Sequence, residues 1–306
     1  MKNEQFTSFD GTVIQCYLWD EVENPKAVLQ IAHGMAEHAR RYDDFAKYLN
    51  QNGIIVFADD HRAHGATCVG QSKKGVKGYQ KGEIYIDTVR DEVAITSHLK
   101  QRYGLPVIYL GHSYGSMVGQ RYIELCKEHT GAILSGSAMM KGALLNMGCA
   151  IIGTQYALCG GEKVGNLANN LSFGSYNKPF KNEGLEYAWL SRDKAQVQKY
   201  IDDEECGWVM STAFFKWFFT GLKASYKKKN LTQIDINKPI GIFSGDKDPV
   251  GGNGKLVKKL HEQYKKLGVK DLSIKLYPDA RHEILNETNN AEVYADILAR
   301  IEEMIK

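Results

Sequence analysis

What this chain lacks narrows its class before any motif is considered. Its first ten residues, M-K-N-E-Q-F-T-S-F-D, contain no apolar core of the kind a secretory leader needs. Its six cysteines, at positions 16, 68, 126, 149, 159 and 206, form neither a C-x-x-C pair nor a compact secreted framework. A cytoplasmic chain with reduced thiols and no disulfides is therefore the expectation. A formal net charge of +3 is too slight to argue for a nucleic-acid partner. No long disordered tract or repeat array is visible. One charge-free stretch runs from Gly142 to Gly161, but five glycines plus Asn146, Thr154 and Gln155 suit hydrocarbon poorly. A buried or lid-lining helix is the expectation there.

What remains is ordinary soluble material, 43% hydrophobic and 25% charged. The 306 residues suffice for one large α/β core plus an inserted subdomain. Thr12 to Trp19 alternates loosely and suits an edge strand. Lys26 to His33, Ile54 to Asp60, Pro106 to Leu110 and Gly131 to Ser137 are apolar runs. Between them, Tyr42 to Asn50 and Glu83 to Tyr103 have helical spacing. Apolar strands separated by helices indicate a mostly parallel sheet covered on both faces. The rhythm stops near Met139 and resumes at Pro239 to Ser244, followed by a helix over Asn253 to Leu267. A strand over Leu272 to Tyr277 and a helix over Ala291 to Ile305 complete it. Residues 1–138 and 236–306 are thus expected to form one core, and 139–235 a largely helical cap.

Gly111-His112-Ser113-Tyr114-Gly115 follows the run P-V-I-Y-L and precedes a helical segment. A serine on so tight a strand-to-helix turn has strained backbone angles and needs small neighbours. Its hydroxyl is then exposed at the carboxyl edge of the sheet, next to a helix N-terminus. Serine becomes a nucleophile only when a histidine removes its proton, and a carboxylate must hold that histidine. His282, in the loop after L-S-I-K-L-Y, is the expected base, whereas His261 belongs to a solvated helix face. The acid lies in G-D-K-D-P-V, where Asp246 suits the turn itself and Asp248 reaches further out. Asp248 is favoured. The backbone amides of Met35 and Tyr114 are the expected oxyanion donors. Glu37, His38, Arg40, Arg41 and Tyr42 read as a scaffold under that loop, and Asp60, Arg62 and His64 as a polar network under the site.

These segments resemble the monoacylglycerol lipase and lysophospholipase group of α/β-hydrolases, which includes the serine aminopeptidase S33 family. H-G-M-A-E-H-A-R-R-Y (33–42) is similar to the group's oxyanion loop. D-H-R-A-H-G (60–65) is similar to its D-x-R-G-H-G, with Ala63 in place of the usual glycine. G-H-S-Y-G is its nucleophile elbow, and G-D-K-D-P-V with A-R-H-E supplies acid and base. In that group the second aspartate of G-x-x-D is the catalytic one, which corresponds to Asp248. Ser191 to Gly207 is similar to cap segments of bacterial members, so the likeness runs nearly the full length. It implies an α/β-hydrolase fold and hydrolysis of an ester with one apolar acyl group.

Within the insertion, Trp208 to Leu222 holds six aromatic residues in fifteen. Trp208, Phe214, Phe215, Trp217 and Phe218 either fill the cap's own core or line an apolar slot over Ser113. Leu144, Leu145, Met147, Ile151, Ile152, Tyr156 and Leu158 add to the same balance. Lys223 and Lys227 to Lys229 read as a solvated face, with transient membrane-surface contact as the alternative. No metal constellation is visible, the chemistry needs no cofactor, and no feature specifies an oligomeric state. A small lipid-like ester is the expected substrate. An aminopeptidase, an acyltransferase and a non-catalytic binding protein are the rival functions.

Overall fold

The computed structural model describes residues 1–306. Eight strands form one sheet: β1 (Lys2–Thr7), β2 (Val13–Trp19), β3 (Ala27–Ala32), β4 (Ile54–Asp59), β5 (Val107–His112), β6 (Gly131–Ser135), β7 (Ile240–Gly245) and β8 (Leu272–Tyr277). Their order is β1-β2-β4-β3-β5-β6-β7-β8. Strand β2 runs antiparallel to both its neighbours, and every pairing from β4 to β8 is parallel. The three apolar runs at the centre, β3, β4 and β5, are buried at every residue, as a sheet covered on both faces requires.

Alternation along the strands sorts their side chains between the two faces. Ile108 and Leu110 of β5 join a core with Phe45 and Leu49 of α1 (Asp43–Gln51) and Ile297 and Ile301 of α10 (Asn290–Met304). Tyr109, between them, faces the opposite core. There it meets residues of α2 (Ile84–Tyr103), α3 (Tyr114–Leu125) and α9 (Lys255–Leu267). Between β6 and β7 lie α4 (Ala143–Cys159), α5 (Asn166–Phe173), α6 (Lys194–Asp202), α7 (Thr212–Ser225) and α8 (Lys228–Leu231), and no strand of the sheet. The core against α2 and α3 continues into α7 through Phe214, Phe215, Phe218 and Leu222.

One expectation changes. The strand at Val13–Trp19 is not the edge, because Lys2–Thr7 pairs outside it. That outer strand, K-N-E-Q-F-T, is half exposed and has one large apolar residue, so its sequence carries little pattern. Ala63, in place of the group's usual glycine, has φ +67°, in the left-handed region where glycine is at ease.

Below the sheet edge, Arg62 is buried and forks onto two carboxylates. Its Nε and Nη2 donate to Asp91 at 2.5 and 2.8 Å, and Nη1 and Nη2 donate to Asp10 at 2.7 and 2.9 Å. It thereby ties the turn after β1 to α2. Burial pushes the Asp91 carboxyl up to about 6 even with Arg62 beside it, so this carboxylate depends on its partner. Replacing Arg62 by Met strands Asp91 and should cost about 3–5 kcal/mol. Urea denaturation measures this, and a loss below about 1 kcal/mol would show that the ion pair is dispensable.

Candidate active site

Strand β5 ends in a residue that no ordinary strand or helix tolerates. Ser113 has φ +51° and ψ −115°, and α3 begins at the next residue. Four hydrogen bonds hold this turn. Ser113 N–H donates to the Ser135 carbonyl at 2.9 Å, and Gly115 N–H to the His33 carbonyl at 3.0 Å. Ser116 Oγ donates to the Ser113 carbonyl at 2.6 Å, and Tyr109 OH to the Gly115 carbonyl at 2.7 Å. A Cβ at Gly115 would overlap the Ala32 carbonyl, so glycine serves close approach here rather than unusual φ.

His282 reaches this serine from the loop after β8. Its Nε2 lies 2.7 Å from Ser113 Oγ, and its Nδ1 lies 3.0 Å from Asp248 Oδ1. Asp248, in the loop after β7, is fully buried; Val250 N–H and Ser244 Oγ donate to its two oxygens at 2.8 and 3.2 Å. Asp246 instead accepts from Asp279 N–H at 2.8 Å and stands away from the histidine. The three side chains, widely separated in sequence, thus meet at the carboxyl edge of the sheet. Burial works to lower the His282 pKa, but the Asp248 carboxylate, helped by Glu283 and Glu37, raises it above the usual 6.5. The neighbouring His112 ring, 4.9 Å away, is pushed down to about 3 by burial and by His282, and is neutral.

The residues flanking His282 are pinned in turn. Arg281 donates to the carbonyls of Ala188 and Ser191 at 2.6 and 3.1 Å, and Glu283 N–H donates to the Leu190 carbonyl at 2.7 Å. Arg41 forks onto Glu283 at 2.8 and 2.7 Å and also pairs with Glu37. Glu37 accepts from Gly34 N–H and from Tyr42 OH, which makes it the brace of the loop after β3. Trp189, on the segment between α5 and α6, lies 5.1 Å from the His282 ring.

Two cavities open from the serine, sharing Met35, Ser113 and Phe173. One of about 340 Å³ is walled mainly by apolar groups, including Leu145, Met147, Ile151, Leu171, Phe218 and Phe219. The other, about 380 Å³, has Trp189, Tyr200 and Trp208 with the carboxylates of Glu37, Glu186 and Glu283. No lysine or arginine lines it. Tyr114 lines the apolar cavity beside Met35. Of the five aromatics between β6 and β7 named from the sequence, Phe218 lines the apolar cavity and Trp208 the polar one. Phe214, Phe215 and Trp217 line neither: Phe214 and Phe215 are 1% and 0% exposed within the core, because one helix offers only one face to a cavity. Phe173, Tyr176, Leu171 and Trp189 contribute without having been singled out. They come from short segments with no motif.

Metal-type ligands meet in two places, His38 with Asp203 and Cys206, and Asp59 with His61 and Glu92, each within 4.8 Å. In both, the histidine already bonds a carboxylate, at 2.8 Å to Asp203 and 2.9 Å to Asp59. No helix is long and apolar enough to cross a membrane.

A serine on a strained strand-to-helix turn, backed by histidine and aspartate on later strand ends of a mostly parallel sheet, defines the α/β-hydrolase class. Within it the chain belongs to the serine aminopeptidase S33 family, whose profile matches residues 23–289. It is 28% identical to the monoacylglycerol lipase of Mycolicibacterium smegmatis, over 97% of this chain and 95% of that protein. The carboxyl esterase of Bacillus coagulans, solved with glycerol, has a TM-score of 0.88 at 25% identity and covers 100% of this chain and 99% of its own. The monoglyceride lipase of Saccharomyces cerevisiae, solved with a substrate analogue, has a TM-score of 0.76 at 21% identity and covers 99% and 94%. The chain is a monoacylglycerol lipase-like α/β-hydrolase.

The His282 environment yields a direct test. By NMR titration its imidazole should have a pKa above 6.5, and Asp248→Asn should lower it, since burial is then less opposed. A value unmoved by that substitution would remove Asp248 as the charge that sets it.

Proposed function

We propose that this carboxylic ester hydrolase works through an acyl-enzyme on Ser113, with His282 as general base and Asp248 as its orienting acid. The observation that carries the reading is the 2.7 Å approach of His282 Nε2 to Ser113 Oγ, with Asp248 3.0 Å from the other ring nitrogen. Ser113 Oγ attacks the ester carbonyl while its proton passes to His282. The amides of Met35 and Tyr114 hold the oxyanion, the second at a helix N-terminus. His282 then gives its proton to the departing alcohol. Water, losing a proton to the same imidazole, releases the acid and restores the hydroxyl, and Asp248 steadies the imidazolium throughout.

Residues 139–235 act as the cap in this reading, and its two cavities divide the substrate. The apolar one takes a single acyl chain, and the polar one takes the alcohol. Glu37 and Glu283 share the single charge of Arg41, so with Glu186 the cavity keeps a negative balance and no lysine or arginine on its wall, a poor site for phosphate and a tolerant one for an uncharged polyol. A monoacylglycerol therefore fits better than an anionic lysophospholipid. Leu144, Met147 and Leu171, which line the apolar cavity, are also 77%, 54% and 61% exposed, and a rim of that kind suits transient contact with a lipid surface. The same carboxylates would accept a substrate ammonium, which is the one observation favouring the aminopeptidase alternative. Hydrolysis of aminoacyl anilides faster than of esters would establish that alternative.

Two outcomes test the main reading. Ser113→Ala should leave the fold intact, abolish labelling by a fluorophosphonate, and cut kcat by several orders of magnitude, roughly 10³–10⁶. Turnover near wild type in that variant would end it. Among esters of one acyl chain, kcat/KM for the monoacylglycerol should exceed that for the lysophosphatidate by at least about tenfold, the worth of roughly 1.4 kcal/mol. Equal rates would show that the carboxylates do not select the head group.

A further inference from the structure

Glu92 sits on α2, carries no motif, and is completely buried. A carboxylate is rarely placed there without a partner of consequence. Its Oε2 accepts from Gln30 Nε2 at 2.6 Å, and its Oε1 lies 3.2 Å from His61 Nδ1. His61 Nδ1 also lies 2.9 Å from Asp59 Oδ2. His61 Nδ1 therefore donates to Asp59, at the end of β4, while the Glu92 carboxyl from α2, pushed up to about 8 by burial and by Asp59, closes the other side of the imidazole.

The grip is transmitted to His33 by two contacts. The His61 ring stacks on the His33 ring, with centroids 4.1 Å apart and planes 25° from parallel. The backbone N–H of His61 donates to His33 Nε2 at 3.0 Å. An Nε2 that accepts carries no proton, so the His33 proton resides on Nδ1. From there it donates to the Gly34 carbonyl at 2.7 Å. Burial, reinforced by His61 and His64, pushes the His33 pKa well below 6.5 and keeps it in that neutral form.

The consequence follows from peptide planarity. The Gly34 carbonyl and the Met35 N–H belong to one peptide unit and point in opposite directions. Holding the carbonyl on the His33 ring thus fixes the direction in which the Met35 amide points. Meanwhile the His33 carbonyl accepts from Gly115 N–H in the serine turn, so one residue references both oxyanion donors to each other.

We propose that Glu92 is a positioning residue for the oxyanion hole, acting through the His61 ring and His33 on the peptide between Gly34 and Met35. This rests on the reading of Met35 and Tyr114 as the oxyanion donors and Ser113 as the nucleophile. Glu92 touches neither substrate nor the reacting atoms. Its effect appears in the chemical step, where the oxyanion forms, and not in the affinity for the ground-state ester.

The test compares Glu92→Gln, which keeps size and shape, and Glu92→Ala with wild type, using a p-nitrophenyl ester and active-site titration with a fluorophosphonate. Loss of one oxyanion donor costs about 10²–10³ in kcat, so a misdirected donor should cost about tenfold per titrated site. KM should stay within about twofold, and fluorophosphonate labelling should slow in parallel. A merely structural role would lower the number of titratable sites or the Tm while leaving kcat per site unchanged, and that result overturns the proposal. So does a KM that rises while kcat holds. If Glu92→Ala does not fold, Glu92→Gln alone decides by the same kcat-per-site criterion. Failure of wild type to be labelled at Ser113 would instead sink the underlying reading and is seen separately.

Discussion

The strained backbone at Ser113 is the constraint on which the rest of the site depends. A non-glycine residue at φ +51° and ψ −115° costs of order 1–3 kcal/mol and persists only where its surroundings over-determine it. Here β3, β5 and β6 supply that pressure together, through the carbonyls of His33 and Ser135 and the hydroxyl of Tyr109. Register matters for the same reason. Ala32 pairs with Gly111, which places the end of β3 against the serine turn. The loop that carries Met35 emerges at that point.

His282 is positioned by different means. Ser113 is held in its strained conformation by hydrogen bonds to its own turn, whereas His282 is held by what its two neighbours grip. Arg281 reaches the carbonyls of Ala188 and Ser191, and Glu283 is held by Arg41 and by the Leu190 carbonyl. The segment over 188–191, between α5 and α6, is therefore part of the support for the imidazole, and Trp189 covers the ring itself. Motion of that segment would disturb the His282 ring as well as the cavity.

The sequence made the central sheet legible because β3, β4 and β5 are buried on both faces and so read as unbroken apolar runs. Ser113 and Asp248 were legible because each follows such a run within a few residues, and His282 because it follows the alternating, half-buried strand Leu272–Tyr277. The polar edge strand Lys2–Thr7 left no comparable pattern. Between β6 and β7, aromatic density marked α7, but which of its residues meet a cavity is set by tertiary packing, and composition does not encode that. Phe214 and Phe215 turn into the core while Phe218 faces the cavity. Glu92 was invisible for a related reason: on α2 it is one acidic residue among several, and only the fold brings it to His61.

The carboxylates near the serine serve two ends at once. Burial pushes the Glu283 carboxyl up, but Arg41 outweighs it and holds the group at about 2, so Glu283 is an anion throughout the working range. Glu37 and Glu283 together raise the affinity of His282 for a proton, adding to the larger effect of Asp248. They also line the polar cavity, so the charge around His282 and the charge of that chamber share the same side chains. Removing either carboxylate would lower the affinity of His282 for a proton, and neutralising Arg41 would leave two buried carboxylates to repel each other beside Ser113. Glu186, exposed at the rim of that cavity, can be neutralised without unpairing a buried charge.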